Sequence, residues 1–464
     1  MPFKPDDNLL NYDVFPKVFV CGKKTWFHIR PMGCRPQFEP GEKYNLVICA
    51  LDTGNPLRYP KQGDYKTFEV TANEVGGFDF EHTFEKEQEY FLRITDSEGK
   101  KINQFPVYCV EEDLAGRYPF IGDLHMHTLR SDGQQKPTVV CANYRKNGYD
   151  FFAITDHHRY YPSLEAIEYY KDAPIEFNIV PGEEIHLPPV DGLFNDVHMV
   201  NFGGEYSINA LIEGKAIEEK GRDARYRSIT GECPDGMTKE EYDELMRGLM
   251  AEAEIPDYLD VYPAVSCKWA FDQIKKANGL GIFAHPNWIA DTFHVPEAFT
   301  EYMMETQPFD AFEVLGGENY FEHNGFQTVR YYEDRAKGRH YPIVGSTDSH
   351  SSNPSNRNAL ICSTIVFAPE NERKQLIQSI KDFYSVAVDT ISTEFRLVGE
   401  SRLVRYGCFL LKYFFPLHDE MCAEEGRLMK QYACGTDEEK QDALRMMSAI
   451  NGRMKRQREK YFAF

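Results

Sequence analysis

Gly122-Asp-Leu-His-Met-His-Thr-Leu-Arg-Ser-Asp-Gly133 follows directly on the short apolar run Tyr118-Pro-Phe-Ile121. In an extended strand, residues two apart project to the same face, so His125 and His127 can reach one point together. Imidazole and carboxylate are the ligand types that borderline and hard divalent metals accept. Clusters of the same composition recur: Thr155-Asp-His157, Gly182-Glu-Glu184, Asp196-Val-His198, Ala284-His-Pro286 and Thr347-Asp-Ser-His350. Most of them sit at or just after the C-terminal end of an expected strand. In barrels and in open sheets of parallel strands, that edge is where active sites form. Asp348 and His350 share a face for the same reason as His125 and His127. Asp156 and His157 are adjacent and face opposite sides. His157 is therefore the expected ligand, with Asp156 as the carboxylate that fixes its tautomer by a hydrogen bond.

Working outward, residues 119 onward alternate strand and helix. Apolar runs predict strands at 151–155, 178–182, 197–202, 281–284, 311–315, 343–346 and 363–368, with helices at about 137–148, 163–171, 268–278, 325–337 and 371–384. Gly148, Gly279 and Gly338 fall where helix C-caps belong. The rhythm predicts a parallel sheet with helices outside, as a barrel or an open doubly wound sheet. Residues 1–118 differ: segments 25–30, 44–51, 65–70, 77–84 and 90–95 alternate like short strands between turns, as in a β-sandwich. The expected division is an N-terminal sandwich-like domain at 1–118, a main domain at 119–399 with a helical insertion at about 204–262, and a C-terminal extension of one or two helices at 400–464.

Composition narrows the class. The apolar fraction is 42% and the aromatic fraction 14%, which suits a folded chain. A net charge of −21 disfavours nucleic acid and anionic membranes as partners. The longest apolar stretch, Tyr406 to Leu417, is too short to span a bilayer and carries Lys412. The N-terminal residues show no signal-peptide pattern. The 11 cysteines include no C-x-x-C pair and fit a reducing, cytoplasmic setting.

Residues 121–390 resemble a PHP domain, the fold named for polymerase and histidinol phosphatase. The resemblance rests on His125-x-His127 with Ser131-Asp132-Gly133, then Thr155-Asp-His157, Gly182-x-Glu184, His198, His285-Pro286 and Asp348-x-His350. The run Tyr118–Thr128 is most similar to free-standing members with an N-terminal β domain, some similar to carbaryl-type ester hydrolases and others phosphoesterases. The resemblance implies a distorted (β/α)7 TIM-like barrel with two or three divalent ions (Zn, Mn or Fe) on its rim. By position, His125, His127, Glu184 and Asp348 would hold the first ion. Glu184, His198 and His285 would hold the second, with Glu184 bridging, and His157, His350 and Asp132 the third. Glu183 is the rival bridge; Glu184 is preferred because it stands two after Gly182. His158 and the 204–262 insertion depart from the family pattern.

The implied chemistry is hydrolysis by a metal-bridging hydroxide, with Glu184, Asp348 and His350 in catalytic roles. A small phosphorylated substrate, such as a nucleotide or sugar phosphate, would need cationic donors too. Arg130, Arg159 and Arg357 lie near the clusters and carry the planar fork that matches phosphate. Arg222, Arg225 and Arg227 form a basic run, either a solvated helix face or a lid. His186, two residues past Glu184, is either a substrate contact or an idle rim residue; Asn287 and Asn319 could line the pocket. Three functions compete: a phosphoesterase, a hydrolase of carboxyl or carbamate esters, and a non-catalytic binding module. Filled ligand positions rank the last lowest, and an apolar, arginine-free pocket would favour the second.

Overall fold

Residues 7–54, 58–61, 65–212, 228–317, 321–356, 359–390 and 395–464 are described in the computed structural model. Arg222, Arg225, Arg227, Asn319 and Arg357 lie outside the described residues. The chain divides into two units: Met1–Tyr118 with Ser401–Met421 and Gly452–Phe464, and Pro119–Glu400 with Cys422–Asn451.

In the first unit, strands Tyr12–Phe15, Lys24–Pro31 and Phe78–Thr83 form a three-stranded sheet. A six-stranded sheet runs in the order Phe462–Ala463, Val18–Val20, Lys101–Val110, Gln88–Thr95, Lys43–Ala50, Thr67–Thr71. Inward positions alternate along the strands, so Phe27, Ile29, Phe78 and Phe80 of the small sheet meet Leu46, Leu92, Ile94 and Phe105 of the large one in a single core. The last strand is the C-terminal Phe462–Ala463, paired in parallel with Val18–Phe19. The end of the chain thus completes an N-terminal sheet.

The second unit holds the candidate site. One sheet is built from Asn178–Val180, Phe151–Ala153, Tyr118–Asp123, Cys362–Ala368, Ser385–Asp389 and Arg396–Val398 in that order. The other is Gly182–Ile185, Met199–Phe202, Leu280–Phe283, Ala311–Leu315 and Ile343–Gly345. Most of these strands are buried along their whole length, hence their continuous apolar runs. Two isolated backbone bridges, His157↔Glu184 and Met126↔Ser349, cross between the sheets. No continuous ladder closes the strands into one barrel among the described residues.

Two expectations need correction. The sheets are mixed rather than parallel: Met199–Phe202 runs antiparallel to both Gly182–Ile185 and Leu280–Phe283, and Cys362–Ala368 runs antiparallel to Ser385–Asp389. The stretch 400–464 contains four helices, Ser401–Tyr413, Phe415–Cys434, Asp437–Ile450 and Arg453–Tyr461. It is not a separate extension, because Leu428, Met429, Ala443 and Met447 enter the core formed by Val140, Tyr144, Phe152 and Ile154. Within the expected insertion, helix Lys239–Glu252 opens on a Thr238/Glu241 capping box and buries Tyr242 and Met246 in the main core. A smaller difference concerns Val261–Lys276: Asn278, at φ 57, takes the left-handed position expected of Gly279.

Candidate metal centre

The strand Tyr118–Asp123 delivers its buried edge to a stretch of backbone gripped from two sides. His127 N–H donates to Ser349 O at 2.9 Å, Asp348 N–H to His125 O at 2.8 Å, and Thr155 N–H to Met126 O at 2.9 Å. His125 and His127 consequently face the same way, with their Nε2 atoms 3.3 Å apart. Beneath them, buried Asp123 accepts from Thr347 N–H at 3.0 Å, Thr347 Oγ1 at 2.6 Å, Tyr144 Oη at 2.8 Å and His125 N–H at 3.2 Å. Burial pushes the Asp123 carboxyl up to about 6 against the pull of those donors.

Glu184 is fully buried at the centre. Its Oε1 lies 2.7 Å from His198 Nδ1 and 4.0 Å from His285 Nε2. Its Oε2 lies 2.5 Å from His157 Nδ1, 3.5 Å from His127 Nε2 and His186 Nε2, and 3.6 Å from His125 Nε2. Each oxygen therefore addresses a different set of imidazoles. Burial opposes this charge, but His198, His125, His186 and His157 outweigh it and hold the carboxyl well below its ordinary value. Strand alternation turns Glu183 away, where Asn201 Nδ2 at 3.0 Å, Ser207 Oγ at 2.7 Å, Ile208 N–H at 2.5 Å and Asn209 Nδ2 at 2.9 Å saturate it.

His198 reaches the centre because of the strand reversal. It immediately precedes Met199–Phe202, whose start lies opposite the ends of its neighbours: Met199 pairs with both Ile185 and Phe283. Asp348 Oδ1 is 2.8 Å from His127 Nε2 and 3.3 Å from His125 Nε2, and its Oδ2 is 3.5 Å from His285 Nε2. Asp348 stands at φ 49 and His158 at φ 60, left-handed backbone that few non-glycine residues adopt. On the open side, Asp132 Oδ2 is 3.4 Å from His157 Nε2 and 3.2 Å from His350 Nε2. The turn that carries Asp132 needs glycine next: a Cβ at Gly133 would sit 2.5 Å from His127 O.

Ligand-type atoms thus converge within 4.8 Å of one another in several overlapping groups: His127/Asp132/His157/His350, His125/His127/Glu184, His125/His285/Asp348 and His157/Glu184/His186. All nine residues expected to hold metal are brought together. The fit to a cation is direct. Both Glu184 oxygens, His127 Nδ1, His198 Nδ1 and both His285 ring nitrogens are buried without a hydrogen bond of normal geometry. Buried polar atoms are rarely left so. Nitrogen and carboxylate oxygen donors suit Zn, Mn or Fe.

Other assignments change. Asp156 contacts no imidazole by hydrogen bond; it accepts from Thr128 N–H at 2.8 Å, Thr128 Oγ1 at 2.7 Å, Ser131 N–H at 3.0 Å and Ser131 Oγ at 2.5 Å, and so holds the 128–131 turn. Arg130 is turned to helix Tyr161–Tyr170, where Nε and Nη2 form a bidentate pair with Glu165 at 2.9 and 2.6 Å. Arg159 is half-buried, and its charge acts on His158. His186 belongs to the centre, with Nε2 2.8 Å from His157 Nδ1. Asn287 is buried.

Glu313 is the residue that motif spacing misses. Its Oε2 lies 3.0 Å from His125 Nδ1, the nitrogen facing away from the cluster. Burial pushes its carboxyl up to about 7, with His125 pulling the other way. Gly316 leaves the room, since a Cβ there would overlap Glu313 Oε1 at 1.7 Å. A lone carboxylate inside Ala311-Phe-Glu-Val-Leu315, an otherwise apolar strand, was the available signal.

Residues 123–247 match the model of the PHP domain. No curated protein matches the chain significantly. Among solved structures, a two-domain protein containing a predicted PHP-like metal-dependent phosphoesterase from Bacteroides vulgatus is 17% identical, with a TM-score of 0.41, covering 64% of this chain and 71% of its own. An amidohydrolase from Chromobacterium violaceum, with bound sulfate and no metal, is 17% identical with a TM-score of 0.30, covering 50% of this chain and 87% of its own.

Proposed function

Because residues 123–247 are a PHP domain, we propose that this chain is a metal-dependent hydrolase of ester bonds, with small phosphoesters as substrates. The observation that carries the proposal is Glu184: one buried carboxylate, with Oε1 facing His198 and His285 and Oε2 facing His125, His127 and His157. His125, His127, Glu184 and Asp348 would hold one ion, Glu184, His198 and His285 a second, and His157, His350 and Asp132 a third. Divalent ions so held would polarise a substrate oxygen and acidify a water molecule. Zn, Mn and Fe all suit the donor set. The seven-strand ring is part of the same proposal. It is supported by the order Tyr118–Asp123, Phe151–Ala153, then Gly182–Ile185 through Ile343–Gly345, joined by ladders and by the two rim bridges.

The protein's own groups supply the rest. Glu184 and Asp348 present negative oxygens to the open centre, and Glu313 orients His125 from behind. Asp123 fixes the backbone of both His125 and Thr347, so the two ligand-bearing stretches keep register. His350 and Asp132 lie on the exposed side of the centre.

The alternative of a carboxyl or carbamate ester is favoured by the fate of an arginine. Arg130, an expected phosphate donor, is committed to Glu165. A screen with added Mn²⁺ or Zn²⁺ over phosphomonoesters, phosphodiesters and carboxyl esters separates the two. Turnover of a phosphoester that is lost in His127→Ala is expected; turnover of carboxyl esters alone would replace the phosphoester proposal by its alternative.

A further inference from the structure

A cavity of about 340 Å³ opens beside the centre, lined by His158, His186, Leu187, Pro188, Pro189, Asn209 and Ile212. This lies within the range of small-molecule sites, ~300–1,000 Å³. One wall is the imidazole pair His158 and His186, whose rings are 4.6 Å apart. His186 Nε2 is itself 3.5 Å from Glu184 Oε2, so the cavity and the metal centre share a wall. The remaining walls are largely hydrocarbon: Leu187, both prolines and Ile212. Among the described residues, no lysine or arginine lines it.

The walls are held in place. Asn209 Nδ2 donates to Glu183 Oε2 at 2.9 Å and to Glu184 O at 3.1 Å, and His158 N–H donates to Glu184 O at 3.0 Å. The same strand that carries Glu184 therefore fixes the cavity. Among the described residues, a phosphate or carboxylate would meet two imidazoles but no lysine or arginine there, and burying a charge poorly paired is costly. A hydrocarbon chain or an aromatic ring would be stabilised there.

We infer that this cavity is the subsite for an apolar group of the substrate, so that the enzyme acts on esters whose alcohol carries an alkyl chain or ring, with the charged acid group at the metal centre. The inference rests on the hydrolase proposal for its reaction, but the binding site can be tested without it. The probe is 2-naphthol, titrated into the chelator-treated full chain and followed by fluorescence. Saturable binding at one site is expected. Pro189→Asp, which places a charge on an exposed wall residue, should weaken it by about tenfold or more. Pro189→Ala, which leaves the wall apolar, should keep the affinity within about threefold. No saturable binding to the wild-type chain, or equal affinity in Pro189→Asp, overturns the inference.

The kinetic arm uses hexyl and ethyl phosphate with Mn²⁺, whose leaving alcohols are of similar acidity. Each fully buried methylene is worth about fourfold, so kcat/KM should favour the hexyl ester by more than about tenfold. That ratio should fall in Pro189→Asp. Naphthol binding with no hydrolysis of either ester keeps the subsite and removes alkyl phosphates from the proposed substrates. Hydrolysis of both at equal kcat/KM without naphthol binding does the reverse.

Discussion

Glu313→Ala should loosen metal binding without touching a ligand. Glu313 Oε2 stands 3.0 Å from His125 Nδ1, while His125 Nε2 lies 3.3 Å from Asp348 Oδ1 and 3.6 Å from Glu184 Oε2. The carboxylate thus selects the tautomer that leaves Nε2 free for a cation. Removing such a partner typically lowers metal affinity by about 10- to 100-fold, or ~1.4–2.7 kcal/mol. An independent route gives the same size: a buried N–H left without an acceptor costs ~1–3 kcal/mol. Glu313→Gln keeps an acceptor but not the charge, and should fall between wild type and alanine. Equilibrium binding in chelator-buffered Mn²⁺ or Zn²⁺ measures the effect, with thermal melting of the metal-free proteins as the folding control. Wild-type affinity in Glu313→Ala would refute the assignment of Glu313 as the residue that positions His125.

Three further outcomes are expected. Arg130→Ala should change kcat/KM on phosphoesters by less than about threefold, since its guanidinium serves a partly exposed pair with Glu165, worth ~0–1 kcal/mol; a hundredfold loss would return Arg130 to the substrate. Glu425→Gln should destabilise the fold by ~3–5 kcal/mol in chemical denaturation, because fully buried Arg145 pairs with Glu425 and Asp150; a cost below about 1 kcal/mol would show the charge to be compensated otherwise. Chelation should lower Tm, by the equivalent of ~4 kcal/mol if free metal had stood a thousandfold above its Kd, and calorimetry with and without chelator reads this directly.

Much of the centre was legible because its geometry is local. The period of two puts His125 with His127 and separates Glu183 from Glu184. It does not pair Asp348 with His350, because Asp348 stands at φ 49 beyond its strand and faces His125, His127 and His285 while His350 faces Asp132. Strand direction was not legible, because a fully buried strand such as Met199–Phe202 has the same apolar run whichever way it points. The reversal nonetheless brings His198 to the same rim as ligands that follow their strands. The fates of Arg130 and Asp156 depended on partners that sequence spacing does not rank: Glu165 on a following helix and the Thr128–Ser131 turn. Glu313 was visible only as a charge out of place in an apolar strand. In the C-terminal stretch, the Thr436/Glu439 capping box marks a helix start that hydrophobic periodicity alone does not divide. Its buried methionines and leucines show why that stretch belongs with the cores.

The central claim is that Glu184 is shared between two cations. Metal content per chain, measured by elemental analysis on protein purified without chelators, tests it most directly. Wild type should carry at least two equivalents of Mn, Fe or Zn, as a two-ion site requires. Glu184→Gln, folded by its melting curve, should carry one or fewer, because both stations lose the same carboxylate. Near-absence of these metals from the wild-type protein, or an unchanged stoichiometry in Glu184→Gln, would contradict it.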